Sequence, residues 1–386
     1  MRISVARPGE LGPAELAAWH AMQAQTPALA NPFLSPEFAV AVGTFRPDAR
    51  VAVLAGDGGI VGFFPFEKRR LRVGEPMGAG LSDCQGLVHV PGLDWDAREL
   101  LRGCGISVWN FDHLVAGQGP FERYQAAHAA SPVIDLTSGF EAYHAMLRAR
   151  SKQLTSNMAR KARKLGREAG DVRFVLDSRD GSALRTFMSW KSDQYRRTGR
   201  GDRFDKPWIV DLIDLLFSTH SDHFSGQFSC LYAGDELVAA HFGVRSGHVL
   251  ADWFPAYAPG YGSYSPGLIM HLRMAQEAAA SGIRQIDLGK GAKRYKEELK
   301  TGDILVAEGI VTGRSPLAAV SWARRYPALW AVRTIRQRPA LFEATDRLLV
   351  RYGRVRSSLR PPPAMAPPAG AGVVAVAAPP LAGSKP

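Results

Sequence analysis

Between Gln227 and Val311 the chain lays down its elements in an order that few architectures accommodate. Three β-rich stretches, Gln227–Tyr232, Leu237–Arg245 and His248–Tyr257, are separated by turn signals at Gly234–Asp235 and Ser246–Gly247. A helical pattern follows over Pro266–Ser281, then a strand Arg284–Leu288, a short helix Ala292–Leu299 and a strand Ile304–Val311. A meander that passes into alternating helices and strands predicts an α/β (α+β) fold, a mixed sheet flanked by helices.

The upstream sequence fits the same class. Pro132–Thr137 alternates as a strand, a helix is expected from Phe140 to about Gly170, a strand over Val172–Asp177, and helices over Gly181–Thr198 and Trp208–Thr219. The first third reads as strand Ile3–Ala6, helix Pro13–Gln25, hairpin Arg50–Arg72, helix Asp94–Leu101 and strand Ser107–Phe111. VLAGDGGIVGFFPF, from Val53, echoes LYAGDELVAAHFGV, from Leu231, each a β-stretch on either side of an Ala-Gly-Asp turn. The offset is about one domain length, which suggests two related lobes, 1–131 and 132–314.

Composition narrows the partners. The 386 residues carry a net charge of +12, but twelve Lys/Arg against two acids lie from Arg314 onward, leaving 36 basic and 34 acidic side chains before it. The body is near neutral and the charge sits in a C-terminal extension. There, over 315–357, Trp322, Tyr326, Trp330, Leu341, Leu348 and Tyr352 interleave with Arg324, Arg325, Arg333, Arg336 and Arg347, the composition of a basic amphipathic segment suited to an anionic membrane surface. The Pro/Ala-rich stretch 358–386 reads as disordered. No apolar run reaches the roughly 20 residues of a spanning helix, and the first residues lack the apolar core of a secretory signal. Three scattered cysteines (Cys84, Cys104, Cys230) form neither a disulfide framework nor a zinc spacing. A cytoplasmic protein, peripheral on the inner face of the membrane, is therefore expected, with no metal; His220 and His223 beside Asp222 read as a helix end.

The chemistry is expected at Gly260-Tyr-Gly-Ser-Tyr-Ser-Pro-Gly267, which joins a strand to a helix. Ser265 is a good N-cap and Pro266 suits the first helical position. Glycines at 260, 262 and 267 permit close approach, and amides at a helix start favour an anion such as phosphate. The loop fits neither a Walker motif nor a dinucleotide fingerprint. Beyond it, Asp287-Leu-Gly-Lys-Gly ends a strand and enters a helix bearing Lys293, Tyr295 and Lys296, so both loops open on one sheet edge if those strands are neighbours.

These residues carry a resemblance. Asp252-Trp253 on the strand, Tyr264-Ser-Pro-Gly267 at the helix start, Asp287-Leu-Gly and Tyr295-Lys296 resemble the GNAT superfamily of acyl-CoA transferases, in particular the CelD/BcsL-like acetyltransferases of cellulose or exopolysaccharide biosynthesis. Ser151–Gly166, with Asn157, Arg160 and Lys164, is similar to a motif of the related Fem-type aminoacyl transferases, without the Arg two places before the Asn. The resemblance covers about Pro132–Val311. It implies tandem GNAT-like lobes, the first degenerate, and a cosubstrate, acetyl-CoA or another acyl-CoA, whose pantetheine lies between two splayed strands. Its pyrophosphate would rest on Tyr261, Gly262, Ser263, Tyr264, Ser265 and Gly267, with Lys290 and Lys296 as further contacts. Direct transfer to a sugar or amine acceptor then needs a base and an oxyanion donor. Asp252 is the first candidate base, raised by apolar neighbours; Asp287 and His241 are alternatives, and Tyr295 is a candidate acid for the thiolate. Gln194, Tyr195 and Arg196 are candidate acceptor contacts. Two other readings stay open: an aminoacyl-tRNA-dependent Fem-like transferase gripped through the basic run Arg148–Arg167, and a catalytically silent scaffold for polysaccharide machinery. Outside the first of these, nucleic acid is not expected as a partner.

Overall fold

Strands apolar on both faces set the frame. The computed structural model describes residues 1–314 other than Ala79 and Ala292. The first half contains β1 (Arg2–Ala6), α1 (Pro13–Gln25), α2 (Pro36–Phe45), β2 (Ala49–Gly56), β3 (Gly59–Arg69), β4 (Val73–Pro76), β5 (Val88–His89), α3 (Ala97–Gly103) and β6 (Val108–Val115). The second contains β7 (Gln125–Asp135), α4 (Gly139–Arg150), α5 (Lys152–Ala169), β8 (Val172–Val175), α6 (Gly181–Arg197) and α7 (Pro207–Ser218). It continues with β9 (Phe224–Ala233), β10 (Glu236–Ser246), β11 (Val249–Tyr257), α8 (Pro266–Ala280), β12 (Gln285–Asp287), α9 (Arg294–Leu299) and β13 (Gly302–Thr312).

These strands form one mixed sheet, ordered β1-β2-β3-β4-β6-β13-β7-β12-β11-β10-β9-β8, with β5 on β3. The expected mixed sheet flanked by helices is what forms. The expected division after Ser131 runs through the middle of β7, and β13, from the far end of the described chain, pairs antiparallel with β6 on one side and β7 on the other. The two halves therefore share a hydrogen-bonded seam. A single apolar cluster also crosses it, from Trp19, Phe38 and Val42 of the first half to Phe228, Phe242 and Trp253 of the second. On the opposite face α8 packs Met274, Ala275 and Ala278 on Leu250 and Ile286, with α4 alongside.

Three local features depart from the sequence reading. The helix expected over Phe140–Gly170 breaks at Ser151, which adopts an extended backbone (φ −157°, ψ 96°) and caps α5 by accepting from the Leu154 amide at 3.1 Å. The helix expected from Asp94 starts at Ala97, because Asp96 acts as its cap, accepting from the Arg98 and Glu99 amides. α2, with Pro36 in its first turn and Phe38 and Val42 wholly buried, is an element the sequence reading left unassigned. The basic extension 315–357 and the stretch 358–386 lie outside the described residues. Among the described residues no helix is long and apolar enough to cross a membrane, no group of three or more His/Cys/Asp/Glu side chains could hold a metal, and the three cysteines are buried and unpaired.

Candidate active site

The site begins where two parallel strands part. β11 and β12 pair in parallel over Val249–Gln285, Leu250–Ile286 and Ala251–Asp287. β12 then ends and turns away through Gly289 (φ +75°), while β11 runs on to Tyr257, paired among the described strands with β10 alone on its other side. A wedge opens beside residues 252–257, and the strand leads directly into the start of α8.

Asp252, the first residue past the fork, is buried, with its side chain wholly out of solvent. His271 on α8 places Nε2 3.0 Å from Asp252 Oδ2 and Nδ1 2.6 Å from the Gly267 carbonyl. Both contacts are with acceptors, so the ring fits as an imidazolium donating through both nitrogens. Burial pushes the Asp252 carboxyl upward, but the His271 and His241 imidazoles override it and hold it well below the usual carboxylate range. Burial opposes charge on His271 as well, and the Asp252 carboxylate nevertheless holds its pKa above the ordinary value. The expectation that apolar neighbours raise Asp252 is thereby overturned: a carboxylate so stabilised is a weak base.

His241 Nε2 lies 3.0 Å from Asp252 Oδ1, off the line of a hydrogen bond, and neither ring nitrogen has a hydrogen-bond partner among the described residues. The Tyr295 hydroxyl approaches Asp252 Oδ2 at 3.4 Å; burial, then the carboxylate, push its pKa up, which makes it a poor acid for a thiolate. Three of the four expected catalytic residues thus converge. Asp287 does not join them. It accepts from Asn31 Nδ2 (3.0 Å), Ser131 Oγ (2.9 Å) and the Gly289 amide (2.9 Å), and so ties the two halves together as a buried anchor.

On the other side of the wedge lies Lys191 of α6, which the sequence reading passed over. It is 6% exposed, and its Nζ donates to the Pro255 carbonyl on the free run of β11 and to Gln194 Oε1, both at 2.9 Å. Burial, followed by the charges of Lys293, Arg200 and Arg203, lowers its pKa to about 7, against the pull of Asp252. A neutral amine has two N–H bonds, and two acceptors occupy them, so its lone pair is left unspent. Of the expected acceptor contacts, Gln194 therefore serves Lys191, the Tyr195 ring lies 5.4 Å from its Nζ and against Phe204, and Arg196 is turned outward onto Asp193 and Asp202.

The glycine-rich loop differs from expectation. Pro259–Tyr264 winds into a 3-10 turn, so the Tyr261 and Ser265 amides are spent on the Ala258 and Gly262 carbonyls. Ser265 is left-handed (φ +53°), and its hydroxyl accepts from Lys161 Nζ at 2.6 Å instead of capping α8. Leu268 and Ile269 donate to the Ser265 carbonyl, which leaves the Gly267 amide as the open donor of this first turn among the described residues. A Cβ at Gly260 or Gly267 would meet nothing within 4 Å, and at Gly262 only the edge of Tyr257. Tyr261 bonds to Glu236 and Tyr264 to Glu168, with Lys164 over the Tyr264 ring. Ser263 lies within the turn. Lys290 and Lys296 are elsewhere: Lys290 Nζ is held by the Asp112 carbonyl and Glu308, and Lys296 is buried with Nζ on the Gly289 and Lys290 carbonyls. The cations beside the loop come from α5, as Lys161 and Lys164.

The first half contains a similar fork, and it is filled. β4 and β6 pair in parallel at Val73–Val108 and Gly74–Trp109 and then separate. Against the vacated run of β6, Gln85 donates its amide to the His113 carbonyl and accepts from the Val115 amide, both at 2.9 Å. Its side-chain oxygen accepts from the Asp112 and His113 amides. The remaining cavity, lined by Ser82, Gln85 and Trp109 among others, is about 10 Å³, near the minimum that admits one water. Ser82 Oγ and Trp109 Nε1 are buried there without a hydrogen-bond partner among the described residues.

Residues 152–297 match the family model described as the acetyltransferase (GNAT) domain. No curated protein matches the chain. Among solved structures, FemX superposes with a TM-score of 0.53 at 10% identity, over 80% of this chain and 96% of its own. The C-terminal domain of a putative lysylphosphatidylglycerol synthetase from Agrobacterium fabrum gives 0.48 at 12% identity (80% and 96%). A tandem GNAT protein from the clavulanic acid biosynthesis pathway gives 0.43 at 11% (81% and 100%). Residues 152–297, which contain the strand fork and the start of α8, carry a GNAT-fold acetyltransferase domain.

Proposed function

We propose that the chain transfers an acyl group directly from acyl-CoA, most simply acetyl-CoA, to an amine or hydroxyl acceptor in the wedge beside β11. The observation that carries this reading is the length of β11 beyond its last pair with β12, which leads into the start of α8 and carries Lys191 on its Pro255 carbonyl. The pantetheine arm would lie along the free strand edge, and the diphosphate would meet the Gly267 amide and Lys161. The acceptor's nitrogen or oxygen attacks the thioester carbon, the C–S bond breaks, and the thiolate leaves. The Lys191 amine takes the acceptor's proton and returns it to the sulfur, the two transfers balancing; a group near pKa 7 is suited to both at neutral pH. Asp252, His271 and Tyr295 act as positioning residues, fixing the first turn of α8 against the fork. An acceptor among the sugars or amines of exopolysaccharide or envelope synthesis rests on the sequence resemblance to the CelD/BcsL-like branch.

The test is calorimetric binding of CoA together with thiol release from acetyl-CoA. Lys191→Met should lower turnover by roughly 10²–10⁴-fold with CoA affinity retained, whereas Lys161→Ala should weaken CoA binding first. Failure of the intact protein to bind CoA would defeat the reading.

A second reading, an aminoacyl-tRNA donor, is favoured by the exposed Lys152, Arg160, Arg163 and Arg167 on α5, the helix that reaches the α8 start through Lys161. It requires donor binding that weakens steeply with salt, in contrast to the shallow dependence of a pantetheine ligand.

A further inference from the structure

Two successive residues other than glycine hold a left-handed backbone at the tip between β3 and β4. Among the described residues, only Leu71 (φ 58°, ψ 28°), Arg72 (φ 56°) and Ser265 do so without being glycine. That conformation sets Cβ against the following carbonyl and costs free energy that a glycine would spare. Packing of the Leu71 side chain does not offset the cost, because Leu71 is 51% exposed, with Arg70 and Arg72 exposed on either side of it. Strain of this kind persists only where the surroundings impose it, and it points to a contact made by the tip.

The surroundings are a basic rim joined by hydrogen bonds. The Arg72 carbonyl accepts from the Ser107 amide at 2.7 Å, and Arg72 Nε donates to the Gly105 carbonyl at 3.3 Å. Lys68 Nζ reaches the Cys104 carbonyl of the same turn at 3.5 Å. The Gly105 amide donates to the carbonyl of Arg102, whose side chain is exposed. On the far side of this segment the Ser107 carbonyl accepts from the Gly313 amide at 2.8 Å, and the exposed Arg314 follows. The end of β3, the starts of β4 and β6 and the end of β13 therefore meet at one end of the sheet, since β4 and β6 are parallel and β13 is antiparallel to β6. The acids beneath, Asp48, Glu67 and Glu75, are taken up by Arg46 and Arg69, and Glu99 lies 4.0 Å from Arg102. Arg314 also begins the stretch in which twelve Lys/Arg stand against two acids, so the basic sequence leaves the body from this same rim.

A single exposed leucine is ordinary on a protein surface. One held in strained backbone between arginines, beside the exit of a basic sequence that carries Trp322, Tyr326 and Trp330, is not. Nucleic-acid phosphates would engage the cations and leave Leu71 idle. An anionic bilayer engages both, its headgroups meeting the arginines while the leucine enters the interface.

We propose that the Arg70–Leu71–Arg72 tip docks on an anionic lipid bilayer, Leu71 entering the interface and Arg70, Arg72 and Arg102 meeting lipid phosphates. The first half, whose own fork is filled, thereby orients the protein on a membrane, and residues 315–386 depart from the docked side. This surface does not depend on the transferase reading.

The experiment is co-sedimentation of the full chain with phosphatidylcholine vesicles, with and without roughly 30% phosphatidylglycerol. The protein should partition onto the anionic vesicles and not onto the neutral ones. Arg70→Glu/Leu71→Asn should weaken that partitioning at least about tenfold, with the melting temperature held or raised, because asparagine tolerates the left-handed backbone. Leu71→Asn alone should also weaken it, which a purely electrostatic contact would not show. Arg185→Glu, a charge reversal of equal size on α6, should leave it within about twofold. Failure to partition onto anionic vesicles, partitioning unchanged in Arg70→Glu/Leu71→Asn, or an equal loss in Arg185→Glu overturns the proposal. So does retention on single-stranded RNA, without vesicle binding, that the tip variant abolishes. CoA binding enters none of these outcomes, so the transferase reading stands or falls separately.

Discussion

His271 holds Asp252 with one ring nitrogen, at 3.0 Å, and the Gly267 carbonyl with the other, at 2.6 Å. The acid at the strand fork and the first turn of α8 are therefore one mechanical unit. Removing the charge of one member leaves the other buried without compensation: Asp252→Asn should cost about 3–5 kcal/mol of stability, read by urea unfolding, and a double variant with His271→Gln should recover part of it. A double variant no more stable than Asp252→Asn would argue against the pair.

The same pair fixes a pH window. Asp252 is lowered in the folded state, so its contribution is present above the ordinary value of 3.8 and is lost as pH falls through the folded value. His271 is raised, so its contribution is full below 6.5 and is lost as pH rises through the folded value. The difference in melting temperature between the parent protein and the double variant should be widest between these two limits and shrink on either side. A difference that is flat from acid to alkaline pH would show that the pair is not ionised.

Lys191 works in the opposite direction. Its pKa falls from 10.5 to about 7 on folding, so between those values the unfolded chain binds more protons and stability rises with pH. Lys191→Met should accordingly raise stability at pH 7 and below, on the order of a few kcal/mol, and lose that advantage toward pH 10. Equal stabilities at every pH would mean that the amine keeps its proton.

Among the described residues, the fork in the first half is filled by Gln85. The full chain should bind a single CoA, because Gln85 occupies the edge of β6 that an extended ligand arm would need. The amides of Gln85 and Val115, which close that contact, should exchange slowly with solvent deuterium in the ligand-free protein. A stoichiometry of two, or rapid exchange at both amides, would show that the first half keeps a working groove.

Asp287 separates anchoring from catalysis. Its three hydrogen bonds join Asn31, Ser131 and Gly289 across the seam between halves. Asn31→Ala should cost about 1–3 kcal/mol and leave thiol release within severalfold of the parent, as should Asp287→Asn. Loss of turnover in a folded, CoA-binding Asp287→Asn protein would return this residue to the catalytic machinery.

Much of the frame was legible from local sequence. α1 runs from Pro13 to Gln25 as expected, α8 starts at Pro266, and the β9–β10–β11 meander turns at the expected Gly234–Asp235 and near Ser246–Gly247. Each of these depends on turn residues and on hydrophobic periodicity within a few positions, which the chain states locally. Asp252 and His241 stand out locally as polar groups embedded in apolar stretches, and Tyr295 enters through the family resemblance; the structure places the three side by side. His271 and Lys191 were missed. Both sit on helix faces otherwise filled by Met270 and Met274 or by Leu184 and Phe187, and a single inward-facing polar residue in such a pattern was the signal available.

What the sequence determined by itself is the succession of strands and helices and the place where one strand hands over to a helix through glycines. Tertiary structure alone decided which charges meet. Asp252 and His271 are 19 residues apart, Lys191 and Pro255 are 64 apart, and Asn31 and Asp287 are 256 apart. Periodicity specifies which face of an element is apolar, but not which other element will cover it. Whether a buried carboxylate is raised by desolvation or lowered by an imidazolium depends wholly on that covering partner.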